Sequence, residues 1–407
     1  MAQVLETAER LWSGKASTRD MSPVTAFLGL EQVADGLAFL SSFGNVIVLD
    51  TSAGLVLFDT GSFFLAQNNY AHIRDWSTRK VHTAVYTHGH VDHAFGLPPF
   101  EAETGAKIEV IAHPGVRARF ERYQLTSGYN ESINRRQFGM PVAWPTQYRF
   151  PDRTVSDRLN ITVGGEKIEL RHAKGETDDH VWIWMPERRM LCTGDLFIWA
   201  SPNCGNPQKV QRFPREWAAA LREMAALAPD MLLPGHGLPI IGRDRTVQAL
   251  SETAELLETL VEQTLELMNA GANLDRVLHE VQAPARLLER PYLRPVYDEP
   301  EFIVRNLWRL YGGWYDGNPA HLKPAPDAAL AKEIAALASV DALVARGIAL
   351  SEAGEHRLAC HLVELAFLAD SSSETVTDAR ALVYSRRAET ETSLMAKGVF
   401  TAAAEGR

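Results

Sequence analysis

Up to about residue 245, hydrophobic residues fall in short runs bounded by turn residues. Beyond that point they recur at helical spacing. Leu37 to Phe43 and Asn45 to Leu49 read as strands, and a turn at Ser52-Ala53-Gly54 leads into Leu55-Val56-Leu57-Phe58, which closes on Asp59-Thr60-Gly61. Helical residues follow to about Arg79, and Val81 to Tyr86 is the next strand. Further strands are expected at Lys107 to Ala112, Ile168 to His172, Val181 to Met185, Arg189 to Thr193 and Met231 to Leu233. Several of these runs stop beside His, Asp or Glu, which is how one α/β fold brings separate strand ends to one place.

After Arg245 the pattern Leu250, Leu256, Leu257, Leu260, Val261, Leu265 is that of an amphipathic helix. Pro284, Pro291, Pro295 and Pro300 mark a connection. Ala- and Leu-rich segments then follow at 328–338, 340–352, 354–369 and 373–392, and read as helix pairs. The expected organisation is a catalytic α/β domain over 1–245, a helical connector over 246–300 and an all-α domain over 301–407.

Composition narrows the function classes. The 407 residues are 46% hydrophobic and 23% charged, ordinary for a globular chain, and the formal charge of −10 argues against a nucleic-acid surface. Glu6, Glu9, Arg10, Lys15 and Arg19 interrupt the N-terminal region where a secretory signal would need an apolar run, and no stretch reaches membrane-spanning length. A cytoplasmic protein without a membrane or nucleic-acid partner is expected. Cys192, Cys204 and Cys360 are an odd set without C-x-x-C spacing, so neither a disulfide framework nor a thiolate metal site is expected.

Chemistry concentrates in Thr87-His88-Gly89-His90-Val91-Asp92-His93, which places four imidazole or carboxylate donors within six residues after a strand. These are the donors that zinc and similar divalent ions take, and a tight loop aims alternate side chains at neighbouring ions. Other segments must complete the shells. Gly175-Glu176-Thr177-Asp178-Asp179-His180, Thr193-Gly194-Asp195 and Pro234-Gly235-His236-Gly237 supply candidates. Asp178 and Asp179 read as solvated loop acids, and His172 rivals Glu176 as a ligand. No G-x-S-x-G elbow argues for a serine nucleophile.

The H-x-H-x-D-H motif, a later G-x-T element, a T-G-D element and a final G-H-G element, in that order, resemble the metallo-β-lactamase superfamily. Asp59-Thr60-Gly61 is similar to the Asp-containing turn that precedes the histidine motif there. Glu176, where many members have His, resembles the alkyl sulfatase branch, and Leu307 to Ala320 with the helices after it resemble that branch's dimerisation domain. The resemblance implies an αββα sandwich followed by an all-α C-terminal domain, and a homodimer paired through the C-terminal helices. It implies that His88, His90 and Glu176 hold one ion, that Asp92, His93 and His236 hold the other, and that Asp195 bridges them. Two zinc ions are expected, with iron or manganese as alternatives.

The implied function is hydrolysis of a small-molecule ester, above all a sulfate ester, by a hydroxide shared between the ions. Asp92 would orient the hydroxide and take its proton, and Asp195 would hold the pair of ions together. The rival reading is a carboxylic ester, lactone or β-lactam hydrolase on the same site, and the remote one a non-catalytic binding protein of the same fold. His180 is a candidate hydrogen-bonding partner of the ligands. The Thr-Leu-Arg-Gly-like stretch of the branch is absent, so Lys209, Arg212 or Arg215 would have to meet the sulfate, with Arg135 and Arg136 as further candidates. Trp144, Tyr148, Phe197 and Trp199 are candidate pocket walls, though Pro141-Val142-Ala143-Trp144-Pro145 replaces the branch's glycine-rich piece.

Overall fold

A computed structural model of the chain describes residues 3–22, 27–139, 141 and 143–406. Val142 lies outside the described residues. Seven strands form one sheet in sequential order: β1 (Gly29–Ala34), β2 (Leu37–Ser41), β3 (Val46–Thr51), β4 (Gly54–Phe58), β5 (Val81–Val85), β6 (Glu109–Ala112) and β7 (Arg153–Thr154). The first four pair antiparallel through short turns, and β4 to β7 pair in parallel. Six more form a second sheet: β8 (Arg158–Val163), β9 (Glu166–His172), β10 (Val181–Met185), β11 (Met190–Ile198), β12 (Met231–His236) and β13 (Ile240–Ile241). Its strands are antiparallel except for β11 and β12.

Strand periodicity decides what lies between the sheets. Leu37, Phe39, Ile47, Leu49, Val56 and Phe58 point to one face of the first sheet and share a core with Ile168, Leu170, Val181 and Ile183 of the second. Their neighbours Ala38, Leu40, Val46, Val48, Leu55 and Leu57 point the other way, against Ile73, Phe100, Val116 and Phe120 from helices. The second sheet is covered in turn by Trp217, Leu221 and Met224 from the helix Pro214–Ala226 and by Leu250, Leu257 and Leu260 from the helix Arg243–Asn269. The layers are helix, sheet, sheet, helix. The central strands are apolar on both faces, which explains runs such as Val181-Trp-Ile-Trp-Met185 in which every residue is buried, whereas β8 and β9 alternate apolar with polar residues.

The sheets are also stitched at one end by polar bonds. Asn45 N–H donates to Gly235 O at 2.8 Å, its Nδ2 donates to Pro234 O and Gly237 O at 3.0 and 2.9 Å, and Val181 N–H donates to Thr87 O at 2.7 Å. These bonds set the turn after β5 against β10 and the β2–β3 turn against the end of β12.

The chain separates into two compact units, one of residues 1–127 and 145–313, the other of residues 128–144 and 314–407. Residues 246–300, read from sequence as a connector, fall within the first. In the second, the helices Asp327–Ala338, Val340–Glu352, His356–Ala369 and Glu374–Thr390 lie close to the four segments expected from sequence, and a further helix, Leu394–Ala404, was not expected. A Cβ on Gly347 would come within 2.7 Å of Val363 Cγ1, so the helices Val340–Glu352 and His356–Ala369 pack closely there. Leu343, Val344, Ala366, Val376 and Ala379 form a core of this unit. Among the described residues no single helix is long and apolar enough to cross a membrane.

Candidate metal centre

Strand ends of both sheets of the first unit deliver the candidate ligands. The turn after β5 carries His88, His90, Asp92 and His93; the β9–β10 loop carries Glu176; β11 carries Asp195; and β12 ends on His236. From sequence β11 was expected to stop at Thr193, whereas it runs on through Asp195 to Ile198 with a register shift around Gly194. That irregularity, with Gly194 at φ 49°, re-aims the strand. Gly235 leaves Asp195 its place: a Cβ there would come within 2.2 Å of Asp195 Oδ1.

Ligand atoms of His88, His90, Glu176 and Asp195 all lie within 4.8 Å of one another, and those of Asp92, His93 and His236 do likewise. Asp195 faces both groups, with Oδ1 3.3 Å from His93 Nε2 and Oδ2 3.4 Å from His236 Nε2 and 3.8 Å from His88 Nε2. Asp92 Oδ2 is 3.2 Å from His236 Nε2.

Proton accounting fixes which nitrogens face inward. Asp59, at φ 58° in the left-handed region, is buried at the end of β4. It accepts the Thr87 N–H at 2.6 Å, the Thr87 hydroxyl at 2.8 Å and His93 Nδ1–H at 2.7 Å. The Thr87 hydroxyl has given its proton to Asp59, so it accepts from His88 Nδ1–H at 2.9 Å. Nε2 of both His88 and His93 is thereby left as the lone pair. His88 Nε2 then lies 2.9 Å from His90 Nδ1, and His93 Nε2 3.4 Å from His236 Nε2.

Facing imidazole nitrogens and buried carboxylates call for cations. Glu176 Oε2 and Asp195 Oδ1 are buried with no hydrogen-bond partner, so the donor set fits a pair of divalent ions of the kind held by nitrogen and oxygen. Burial acts to lower His236, but Asp195 and Asp92 more than offset it and lift the imidazole to about 10. Burial likewise opposes, and Asp195, Asp59 and Asp92 overcome it, in raising His93 well above its usual value. Burial works to raise Asp92, yet His93 and His236 hold it below the ordinary carboxylate range. The local charges thus answer one another in proton form as they would in metal form.

His172, the sequence rival of Glu176, is elsewhere: its Nδ1 lies 2.9 Å from His180 O and its ring stacks on His113 at 4.1 Å. His180 is buried and stacked on His88 at 4.8 Å, and its Nε2 accepts the Asp195 N–H at 3.1 Å. The lone pair of His180 is therefore spent on the backbone that presents Asp195. Lys209 is half-buried and lies in the field of Asp92 and Glu176; burial first, then Arg212, lowers its ammonium to about 8. Arg135 is exposed and Arg136 half-buried on the helix Ser127–Phe138, a segment read from sequence as a loop. Both belong to the second unit and are not among the residues the first unit brings together.

Sequence reasoning missed four participants. Asp179 is fully buried, where a solvated loop acid was expected, because Arg119 holds it at 2.8 Å. Burial would raise its carboxyl, and Arg119 instead brings it to about 2. Arg212, named from sequence only as a stand-in for the absent sulfate-binding arginine, is 2% exposed with Nη1 3.3 Å from Glu176 Oε1. Asn203 Nδ2 donates to the same oxygen. Tyr297 is held protonated by burial and by Glu176, Asp92 and Asp195. No local spacing marks these residues, since Asn203 and Arg212 come from the connection after β11, Asp179 from the β9–β10 loop and Tyr297 from the segment before the helix Pro300–Gly312.

Residues 41–236 match the metallo-beta-lactamase superfamily profile, and residues 273–407 match the alkyl sulfatase dimerisation profile. The chain is thus similar to the metallo-beta-lactamase superfamily over its first half and to the alkyl sulfatase dimerisation family over its last third. A linear primary-alkylsulfatase of Pseudomonas sp. is 27% identical over 83% of this chain and 69% of its own length. An alkyl/aryl-sulfatase of Saccharomyces cerevisiae is 25% identical over 86% of this chain and 59% of its own. The solved stereoselective inverting sec-alkylsulfatase Pisa1 from Pseudomonas sp. superposes with a TM-score of 0.84 at 22% identity, covering 93% of this chain and 66% of that one, a likeness of fold. The chain thus spans between just over half and about two thirds of these superfamily relatives.

The raised imidazoles predict how cation uptake responds to pH. His236 carries its proton below about 10, and an incoming cation must displace it, so affinity rises with pH through the neutral range and levels off near 10. Chelator competition with zinc at pH 6.5, 7.5 and 8.5 should show tightening of up to about tenfold per unit for each proton released. A pH-independent affinity would contradict the assignment.

Proposed function

We propose that this chain is a hydrolase using two metal ions and acting on small-molecule sulfate esters. The observation that carries the reading is the pair of donor groups, with Asp195 of one facing His93 and His236 of the other, in the field of two cationic side chains, Arg212 and Lys209. Zinc suits the nitrogen and oxygen donors, and iron or manganese would be accepted by the same set. When bound, two such ions lower the pKa of a shared water toward neutrality and offset negative charge on the ester.

The chain's own groups do the rest. Asp92 is ionised in the field of His93 and His236, so it orients a water by accepting its hydrogen bond and takes the proton as the ester bond breaks. Asp195 spans the two donor groups and fixes their separation. Arg212 is buried behind Glu176, donating to the Glu176 backbone oxygen as well as facing its carboxylate. It raises the positive potential where a sulfate would lie. Lys209 supplies an ammonium for the sulfate oxygens, in place of the arginine that the Thr-Leu-Arg-Gly stretch provides elsewhere in the branch. Tyr297, kept neutral, offers a hydroxyl donor to the same oxygens.

The carboxylic ester, lactone or β-lactam reading uses the same metals and differs in the acid released. Purified, zinc-loaded protein should liberate sulfate from medium-chain alkyl sulfates, with Asp92→Ala lowering kcat by at least about a hundredfold. Release of carboxylate from matched carboxylic esters, without sulfate, would overturn the sulfate assignment. Silence on both panels would overturn the hydrolase reading and favour a binding protein.

The ammonium of Lys209 adds a pH signature. It is charged below about 8 and neutral above, so KM for the alkyl sulfate should rise as pH passes from 7 to 9. Lys209→Gln should start with a higher KM and lose that rise; a parallel increase in both proteins would exclude Lys209 from the anion site.

A homodimer completes the proposal. It is supported by the match of residues 273–407 to the dimerisation family and by Leu330, Leu337 and Leu358, which are exposed on helices of the second unit. Sedimentation should give twice the 45.1 kDa chain mass; a monomer at micromolar concentration would contradict it. We place the protein in the cytoplasm, and fractionation of its cells is the check.

A further inference from the structure

Asp179 and Arg119 form an ion pair at the point where the ligand-bearing loops of the two sheets meet. Asp179 is fully buried three residues after Glu176, in the β9–β10 loop of the second sheet. Arg119 is 4% exposed and comes from the helix Gly115–Leu125, which follows β6 of the first sheet. Its Nε donates to Asp179 Oδ2 at 2.8 Å, and its Nη2 donates to Asp178.

The same Asp179 oxygen accepts the N–H of Gly89 at 3.2 Å. Gly89 sits between two candidate ligands, His88 and His90, so its peptide orientation sets the aim of His90. There is no slack in the arrangement: a Cβ on Gly89 would lie 2.9 Å from Arg119 Cδ and 3.0 Å from Asp179 Oδ2. One carboxylate oxygen thus joins the His88–His90 turn to the loop that carries Glu176, and a guanidinium fixes where that oxygen stands.

An ion pair is a poor device for stability alone in such a place. Desolvation cancels much of its attraction, and apolar residues of similar volume would serve as well. What it supplies is direction, as partners behind metal ligands do. We propose that Arg119 and Asp179 are a positioning pair that holds the His88–His90 turn and the Glu176 loop in register, and so governs occupancy of the His88–His90–Glu176–Asp195 group. His93 of the other group is held through Asp59 and not through this pair, so that group should keep its affinity. The inference rests on the two-ion reading of the site.

The test is a titration of metal-free protein with zinc against a chromophoric chelator, together with metal-free melting curves. It compares wild type, Arg119→Met, Asp179→Asn and the double variant. Wild type should take up two ions. Each variant should lose about ten- to a hundredfold in affinity at one site and keep the other within about twofold. The metal-free Tm should fall by roughly 10 °C in Arg119→Met, which leaves the buried Asp179 carboxylate without its cation, fall less in Asp179→Asn, where Arg119 keeps Asp178, and recover most of the larger loss in the double. The lost zinc affinity should not recover. Affinity that is unchanged in the variants, or that recovers in the double in step with Tm, would reduce the pair to a structural role and overturn the proposal. A wild-type protein that binds fewer than two ions would instead overturn the two-ion reading beneath it, and the two failures are told apart by the wild-type curve.

Discussion

Three carboxylates and four imidazoles lie within a few ångströms of one another in the interior of the first unit. Burying so many charged or chargeable groups is costly unless each is compensated, and the surroundings follow from that requirement. Asp59 takes three donors to fix Thr87 and His93, His180 gives its lone pair to the Asp195 backbone, and Asn203 and Arg212 meet one oxygen of Glu176. What remains after this accounting is a set of imidazole nitrogens and carboxylate oxygens facing one another, held together by protons where no cation is bound. Cations are the economical occupants of such a space.

Such a constraint needs a scaffold whose strand ends do not drift. The two sheets share one core, so their separation is set by side chains such as Phe39, Phe58, Leu170 and Ile183. Asn45 and Val181 then tie the sheets together beside the site. The β5 turn and the β9–β10 loop come from different sheets, and the Arg119–Asp179 pair is a further tie between them. Rigid layers and a few buried polar ties do together what neither does alone.

Much of this was legible in the sequence. Alternating apolar residues located β2 to β5 and β9 to β12 closely, and the ordered histidine and aspartate elements picked out all seven residues that now lie in the two donor groups. The extension of β11 through Asp195 was not legible, because a register shift at a glycine leaves no mark in a hydrophobic pattern. Asp179 was read as a solvated loop acid, and Arg119 drew no reading at all, for a related reason. An ionised side chain is buried only when its partner is, and Arg119 stands sixty residues from Asp179. Pairing across such a distance is a property of the fold, and composition near either residue is silent about it. Segment lengths, by contrast, follow from local periodicity, and four C-terminal helices were read closely, though Leu394–Ala404 was not.

The central claim is that one buried acid is shared by two metal ions, and the most direct measurement is anomalous diffraction from a crystal of the zinc-loaded protein. The account predicts two peaks, about 3.5–4 Å apart, one among His88, His90 and Glu176 and the other among Asp92, His93 and His236, with the Asp195 carboxylate between them. A single peak at full zinc occupancy, or a peak held by residues outside these groups, would contradict it.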